Sequence, residues 1–494
     1  CPKAGTYAIG VHDKDYRGGA DMFYRLNVGD VPVISSVFPM GVQRGTSATV
    51  NLIGANLAKN QVMLNVPADA AIGAKISVPT DASREKPLGD AFVIVGEFPE
   101  VLVRQAEAAV ATPGTANGVI AQPGQSHAIR FNAKKGQRLL LEVNARRAGS
   151  PLDSAIELFD AKGKPVGRAT LRCTARTVVV FRDHDSEKGG IRIESWNDLA
   201  MDDYVYLGNE LLRIQQLPLN PDADCNFYVV DGKRVGFLDT TPGHHPAGEP
   251  IYKVEMHPPG STFSPNGLPV FHLNYRNDDG GPGYGKDSLL HFTAPADGEY
   301  QLAMRDVRGK LAKAQAYRLT ARRPEPDFRL SMTPRNPTVP LGGAVPVTVQ
   351  AFRIDGFEGP IGLTFEGLPA GITATPAMIA PGQVFATILL KNNGKALDAA
   401  TPIELLGRAV ASGGNQLARH ANQEDNLKLV SVMPMADISM TAHTKVVEIE
   451  AGGTGEVNLS IVRQNGFQGR VPVNVMNLPP SVRVLDVGLN GVLI

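Results

Sequence analysis

Apolar residues in this chain recur mainly at every second position, in short runs broken by Gly, Pro, Asn or Asp. Val50 and Leu52 flank Asn51, Ile129 and Phe131 flank Arg130, and Leu139, Leu141 and Val143 share one parity. Val345, Val347 and Val349 repeat the pattern, as do Val457, Leu459 and Ile461. A period of two marks a strand with one buried face. Turn residues separate the runs, as at Lys135-Gly136 and Lys162-Gly163, where Gly accepts positive φ without steric penalty. The pattern predicts an all-β chain built of tandem β-sandwich modules.

Two internal echoes support a modular array. Residues 5–26 return as residues 298–319 at a constant offset of about 293 positions, aligning Gly5, Tyr7, Asp13, Tyr24, Arg25 and Leu26 with Gly298, Tyr300, Asp306, Tyr317, Arg318 and Leu319. At an offset of about 110, Asp327, Gly342, Gly343, Arg353, Gly356, Phe357 and Gly359 fall on Asp437, Gly452, Gly453, Arg463, Gly466, Phe467 and Gly469. Fixed spacing of this kind is the signature of repeated structural units.

Composition bounds the function. A chain of 494 residues exceeds one hydrophobic core, and the usual domain size predicts about three to five modules. Lys plus Arg and Asp plus Glu both number 49, so no net field recruits nucleic acid or an anionic membrane. No run reaches the roughly 20 apolar residues of a spanning helix. Gly (52) and Pro (37) form about 18% of the chain, against a usual share near 12%, and are scattered as turns. The three cysteines are Cys1, Cys173 and Cys225. Cys173 and Cys225 are read either as one disulfide or as two buried thiols. Cys1 runs into a strand-like segment without a linker, which argues against a lipid anchor. The first echo opens inside a repeat and the second stops short at Ile494, so the chain is expected to be an internal fragment.

Three resemblances follow from particular residues. Phe38, Pro39, Gly41, Gly45, Val50, Leu52, Gly54, Asn56 and Leu57 make residues 30–100 resemble an IPT/TIG immunoglobulin-like domain. Gly136, Leu152, Asp153, Leu158, Asp160, Gly163, Ala296 to Tyr300 and Asp306 make residues 101–325 resemble a bacterial pre-peptidase C-terminal (PPC) domain, a jelly-roll-like β-sandwich. The corner where that family has Asp-x-Asp-aromatic reads Gln125, Ser126, His127 and Ala128 here. An insertion at about 171–288 reads as small and β-barrel-like. Residues 1–29 resemble the last strands of a preceding PPC-like domain. Residues 326–412 and 436–494 resemble two immunoglobulin-like sandwiches, the second truncated, with 413–435 as a connecting segment. Arrays in this order resemble large secreted or cell-surface proteins of planctomycete-type bacteria.

Candidate chemistry is sparse. Asn277, Asp278, Asp279 and Asp287 lie on a Gly-rich loop whose oxygens could wrap Ca²⁺, though Asp and Gly also dominate ordinary turns. Asp222 and Asp224 form a weaker acidic pair. His244, His245 and His257, with Asp239 and Glu249, are zinc-type ligands without the helical spacing of a metalloprotease. His184 between Asp183 and Asp185 reads as a charged hairpin tip, and no G-x-S-x-G occurs. Trp196 ends an alternating strand and is read as core in preference to a sugar platform. The expected function is a non-catalytic structural, adhesive or binding fragment of an exported protein. Its expected partners are protein or polysaccharide at the cell surface or matrix, with no nucleic acid and no membrane span. The alternatives are an accessory region of an exported peptidase or other hydrolase, and a carbohydrate-binding module.

Overall fold

The computed structural model describes residues 3–13, 16, 18–79, 87–89, 91–180, 189–218, 222–230, 232–309, 314–411, 413–473, 475–479, 482, 484 and 492–493. The chain is all-β. Among the described residues the only helical elements are two 3-10 turns, Arg146–Ala148 and Phe237–Asp239. It divides into two compact units, Cys1–Glu97 and Phe98–Ile494.

In the first unit, no described residue from 3 to 29 is in a strand. Beyond them, two three-stranded sheets face each other. Val33–Phe38, Ser47–Ala55 and Gln61–Asn65 form one; Gly41–Gln43, Phe92–Gly96 and Lys75–Ser77 form the other. Ile34, Val50, Leu52, Leu64, Val93 and Val95 fill the space between them, so the parity of Val50 and Leu52 becomes the buried face. Gly54 is required where the chain crosses Val33, because a Cβ there would lie 1.8 Å from the Val33 carbonyl oxygen.

The second unit begins with a two-layer sandwich of five strands per layer. One layer runs Arg276–Asn277, Ser154–Asp160, Gly298–Asp306, Ser126–Ala133, Glu107–Ala109; the other runs Leu289–Thr293, Arg138–Asn144, Gln315–Arg322, Gly114–Ile120, Glu100–Leu102. Ile129, Phe131, Leu141, Val143, Leu158 and Leu302 meet between the layers. Phe131, Phe292 and Tyr300 add a ring cluster with centroids 5.0–6.1 Å apart, inside the range where aromatic pairs attract.

The insertion forms an antiparallel seven-stranded sheet, from Gly190–Ile191 through Cys225–Phe227, Glu210–Gln216, Tyr204–Leu207, Pro250–His257 and Gly167–Val178 to Val270–Asn274. Alternate residues feed two cores on opposite faces: Val205, Leu207, Leu212 and Ile214 on one, Tyr206 and Leu211 on the other. Cys225 lies in the first core and Cys173 in the second, and both are free. Of the two cysteine readings, the structure therefore has the buried thiols. Burial raises the Cys173 thiol to about 11 and raises Cys225 as well, so neither is a ready nucleophile.

An immunoglobulin-like sandwich follows, with Asp327–Thr333, Ala344–Ile354, Phe385–Asn392 and Ile372–Ala374 in one sheet and Ala377–Ile379, Ile361–Glu366, Glu404–Val410 and Gln416–His420 in the other. The segment 413–435, read from sequence as a connector, belongs to this sandwich. Gln416–His420 pairs with Glu404–Val410, and Leu429–Met433 pairs with Thr338–Pro340. Its pattern was obscured by Lys428, a charged residue buried beside Glu404 with its ammonium on the Asn422 and Asp425 carbonyls.

The echo at about 110 positions survives in three dimensions. Phe328 pairs with Arg353 and Leu330 with Ala351; the equivalent Ile438 pairs with Arg463 and Met440 with Ile461. Asp355-Gly356 and Asn465-Gly466 both turn through positive φ, and Gly343 and Gly453 donate to the carbonyls of Pro340 and Glu450.

Candidate functional site

The acidic loop from Asn277 to Asp287 is brought together in space, but each member aims at a different protein donor. Asn277 is buried; it accepts from the Leu289 amide at 2.8 Å and donates to the carbonyls of Asp239 and Asp279. Asp278 accepts from the Thr241 hydroxyl. Asp279 pairs with Lys286 at 2.6 Å, although burial outweighs that cation and holds its pKa above the ordinary value. Asp287 is fully buried. One of its oxygens accepts from the amides of Ala145 and Arg146 at 3.0 and 2.7 Å; the other accepts from the amide and Nε of Arg147 at 3.0 and 2.9 Å. Asp287 thus ties down the first 3-10 turn, with four charge-assisted bonds to its carboxylate. Among the described residues, no group of three or more His, Cys, Asp or Glu is gathered to hold a metal ion.

The loop leads into a relay that crosses from the first sandwich to the immunoglobulin-like one. The Arg147 guanidinium, paired with Asp287, lies 4.4 Å from the Tyr284 ring centroid. The Tyr284 hydroxyl donates to Glu142 at 3.1 Å, and Glu142 pairs with Arg322 at 3.4 Å. Arg322 ends the last strand of the sandwich and holds Asp355 with both terminal nitrogens. Asp355 also accepts from the Glu325 amide at 2.9 Å. The linker of Arg323, Pro324, Glu325 and Pro326 is therefore closed by an ion pair whose carboxylate is only 4% exposed. Burial disfavours the Arg322 cation, but Asp355 and Glu142 outweigh it and raise its pKa above the ordinary value.

A second joint starts from the insertion. Arg213 donates to the Gly382 carbonyl at 2.5 Å and pairs with Asp202 at 2.9 Å. The Tyr228 hydroxyl lies 2.6 Å from Asp202 Oδ1 and 2.5 Å from Gln383 Oε1, and Gln350 donates to the Val229 carbonyl. Asp202 and Asp355, the acids at the two joints, both sit at positive φ (70° and 53°), a region Asp tolerates better than most residues.

The zinc-type residues fall into separate clusters. His245 is buried between Glu210 (2.5 Å from Nε2) and Glu249 (2.8 Å from Nδ1), and Arg234 pairs with Glu210 at 3.0 Å. Burial raises Glu210, yet His245 and Arg234 prevail and hold its pKa below the ordinary carboxylate value. Asp239 lies elsewhere, between Arg168 at 3.1 Å and His291 at 2.8 Å; there too burial is overcome and the pKa is lowered. Arg168 and His291, with Arg138, Leu238, Tyr275 and Pro324, line a hollow of about 270 Å³. His244 is exposed, and His257 is partly exposed beside Glu255. Asp224 forms an ion pair with Arg192. Trp196 is half-buried against the insertion's core. Residues 183–185 and Cys1 lie outside the described residues.

Sequence reasoning missed Glu210, Arg322, Asp355 and Asp202. Glu210 opens the strand Glu210–Gln216 directly after the Gly208-Asn209 turn, a place where an acid gives no signal. The other three lie at turns or strand ends, where charge is ordinary. Among the described residues, no helix is long and apolar enough to cross a membrane. No protein-family model matches the chain, and no curated protein matches it in sequence.

Proposed function

We propose that this chain is a non-catalytic, architectural part of an exported protein, in which the β-modules of the second unit are fixed to one another so that they space or present a surface for attachment. The observation that supports this reading is the relay Asp287–Arg147–Tyr284–Glu142–Arg322–Asp355, reinforced by the Arg213–Asp202–Tyr228–Gln383 contact. A flexible string of beads needs no buried charge at its linkers, and burying charge is costly unless each group is paired. Here both acids at the joints are paired, and Pro324 and Pro326 stiffen the connection. The exported setting rests on the resemblance of residues 101–325 to PPC domains. Partners of that setting are surface or matrix proteins and polysaccharides.

Reporter substrates of the peptide, ester, phosphoester and glycoside classes test the reading. Purified chain is expected to give no turnover above a heat-denatured control. Turnover abolished by His245→Gln, the most enclosed histidine–carboxylate cluster described, would make the chain an enzyme instead.

A further inference from the structure

The hollow of about 270 Å³ is built by three elements of the second unit. Arg138 and Thr293 stand directly opposite each other in the first sandwich, and His291 follows Thr293 two residues along the same strand. Their neighbours Leu139 and Phe292 point into the core, so these three share the outer face. Leu238 from the insertion and Pro324 from the linker complete the wall. Among the described residues no Asp or Glu lines it. The acids nearby are already taken: Asp239 by Arg168 and His291, Glu142 and Asp355 by Arg322.

Two groups on this wall have unused bonding capacity. Arg147, Arg168, Arg213 and Arg322 each hold a carboxylate. Arg138, among the described residues, holds none and makes no hydrogen bond, although its guanidinium stands only 2.8 Å from where a Cβ on Gly356 would lie. His291 gives Nδ1 to Asp239 at 2.8 Å. Since that carboxylate also pairs with Arg168, Nδ1 carries the proton, and the neutral ring leaves Nε2 as an acceptor. Leu238 holds a φ of 52°, a conformation costly for leucine, and lends the hollow an apolar wall.

We propose that the hollow binds a small hydroxycarboxylate about the size of one sugar-acid ring. Its carboxylate takes the fork of Arg138, its hydroxyl donates to Nε2 of His291, and its carbon body lies against Leu238 and Pro324. A planar guanidinium meets a carboxylate with two parallel charge-assisted bonds. One unpaired guanidinium balances one negative charge, which favours a monocarboxylate over a phosphate dianion. The hollow is smaller than most ligand pockets, which limits the body to about one ring.

Titration of the full chain with glucuronate, followed by saturation-transfer NMR, tests this. A Kd of about 1 mM is expected, ordinary for a ligand of about a dozen heavy atoms. Glucose lacks the carboxylate and benzoate lacks the hydroxyl, and each is expected to bind about tenfold more weakly. Arg138→Gln is expected to weaken glucuronate about tenfold and to leave the melting temperature unchanged, because Arg138 holds no partner in the fold. Absence of saturation at about 50 mM glucuronate, or undiminished binding in Arg138→Gln, would overturn the proposal. So would glucose, benzoate or inorganic phosphate binding as tightly as glucuronate.

Discussion

The hydroxyl of Tyr317 lies 2.8 Å from Nδ1 of His127, across the two layers of the first sandwich, with both residues almost fully buried. The same phenol packs so closely on Gly118 that a Cβ there would sit 2.5 Å from the ring. Tyr317→Phe leaves the imidazole nitrogen buried without its partner and is expected to cost about 1–3 kcal/mol. Gly118→Ala forces the ring aside and is expected to cost about 1–3 kcal/mol by overpacking. Denaturant unfolding measures both, and a neutral Gly118→Ala would contradict the packing.

Acid is expected to destabilise the second unit in two steps. Burial lowers the His127 pKa, so the unfolded chain binds its proton first. Its contribution is complete above a pH of about 6.5 and falls as pH drops through the folded value. Glu210 and Asp239 are depressed carboxylates, so their contribution is complete above a pH of about 4 and is lost as pH falls through their folded values. Melting temperature followed from pH 8 downwards should begin to fall near the first point and steepen near the second. His127→Gln should remove the first step only; a first step unchanged in that variant would assign it to another group.

Asp287→Ala removes the acceptor for four N–H groups around the first 3-10 turn and is expected to cost about 1–3 kcal/mol, because the buried Ala145 amide and its neighbours are left without their acceptor. The engagement of Asn277, Asp278, Asp279 and Asp287 by protein donors also makes a prediction about calcium. Melts in millimolar Ca²⁺ and in chelator should coincide. A shift of several degrees, abolished by Asp279→Asn, would restore the loop as a Ca²⁺ site.

The immunoglobulin-like repeats predict an asymmetry. Phe357 is 3% exposed, touches Phe328 with ring centroids 5.6 Å apart and covers Gly359. Phe467 covers Gly469 in the same way but is only partly buried. Phe357→Ala is expected to cost about 3–5 kcal/mol and Phe467→Ala a small fraction of that. Equal costs in denaturant titration would mean that the second repeat buries its plug as deeply as the first.

Much of the fold was legible because a strand's inward face is a local property. The parity of Val345, Val347 and Val349 set their face, and the matched positions Arg353 and Arg463 foretold a shared hairpin register. The roles of charged residues were less legible, since they depend on partners far along the chain. Asp287 looked like a cation ligand in sequence, yet its partners begin at Ala145; Arg322 finds Asp355 only after the linker has turned. The segment after residue 412 was obscured for the same reason, because the buried Lys428 interrupts its alternation and its carboxylate partner Glu404 lies back on the strand Glu404–Val410.

Calorimetry of the intact chain and of an Arg213→Ala, Asp355→Ala double variant tests the coupling of the modules most directly. If the joints fix the modules to one another, the first sandwich, its insertion and the first immunoglobulin-like sandwich melt in one transition in the parent. That transition should divide into two in the variant, with the loss of about 3–5 kcal/mol expected when one partner of a buried pair is removed. Separate transitions already present in the parent, at temperatures the double variant leaves unchanged, would contradict the account.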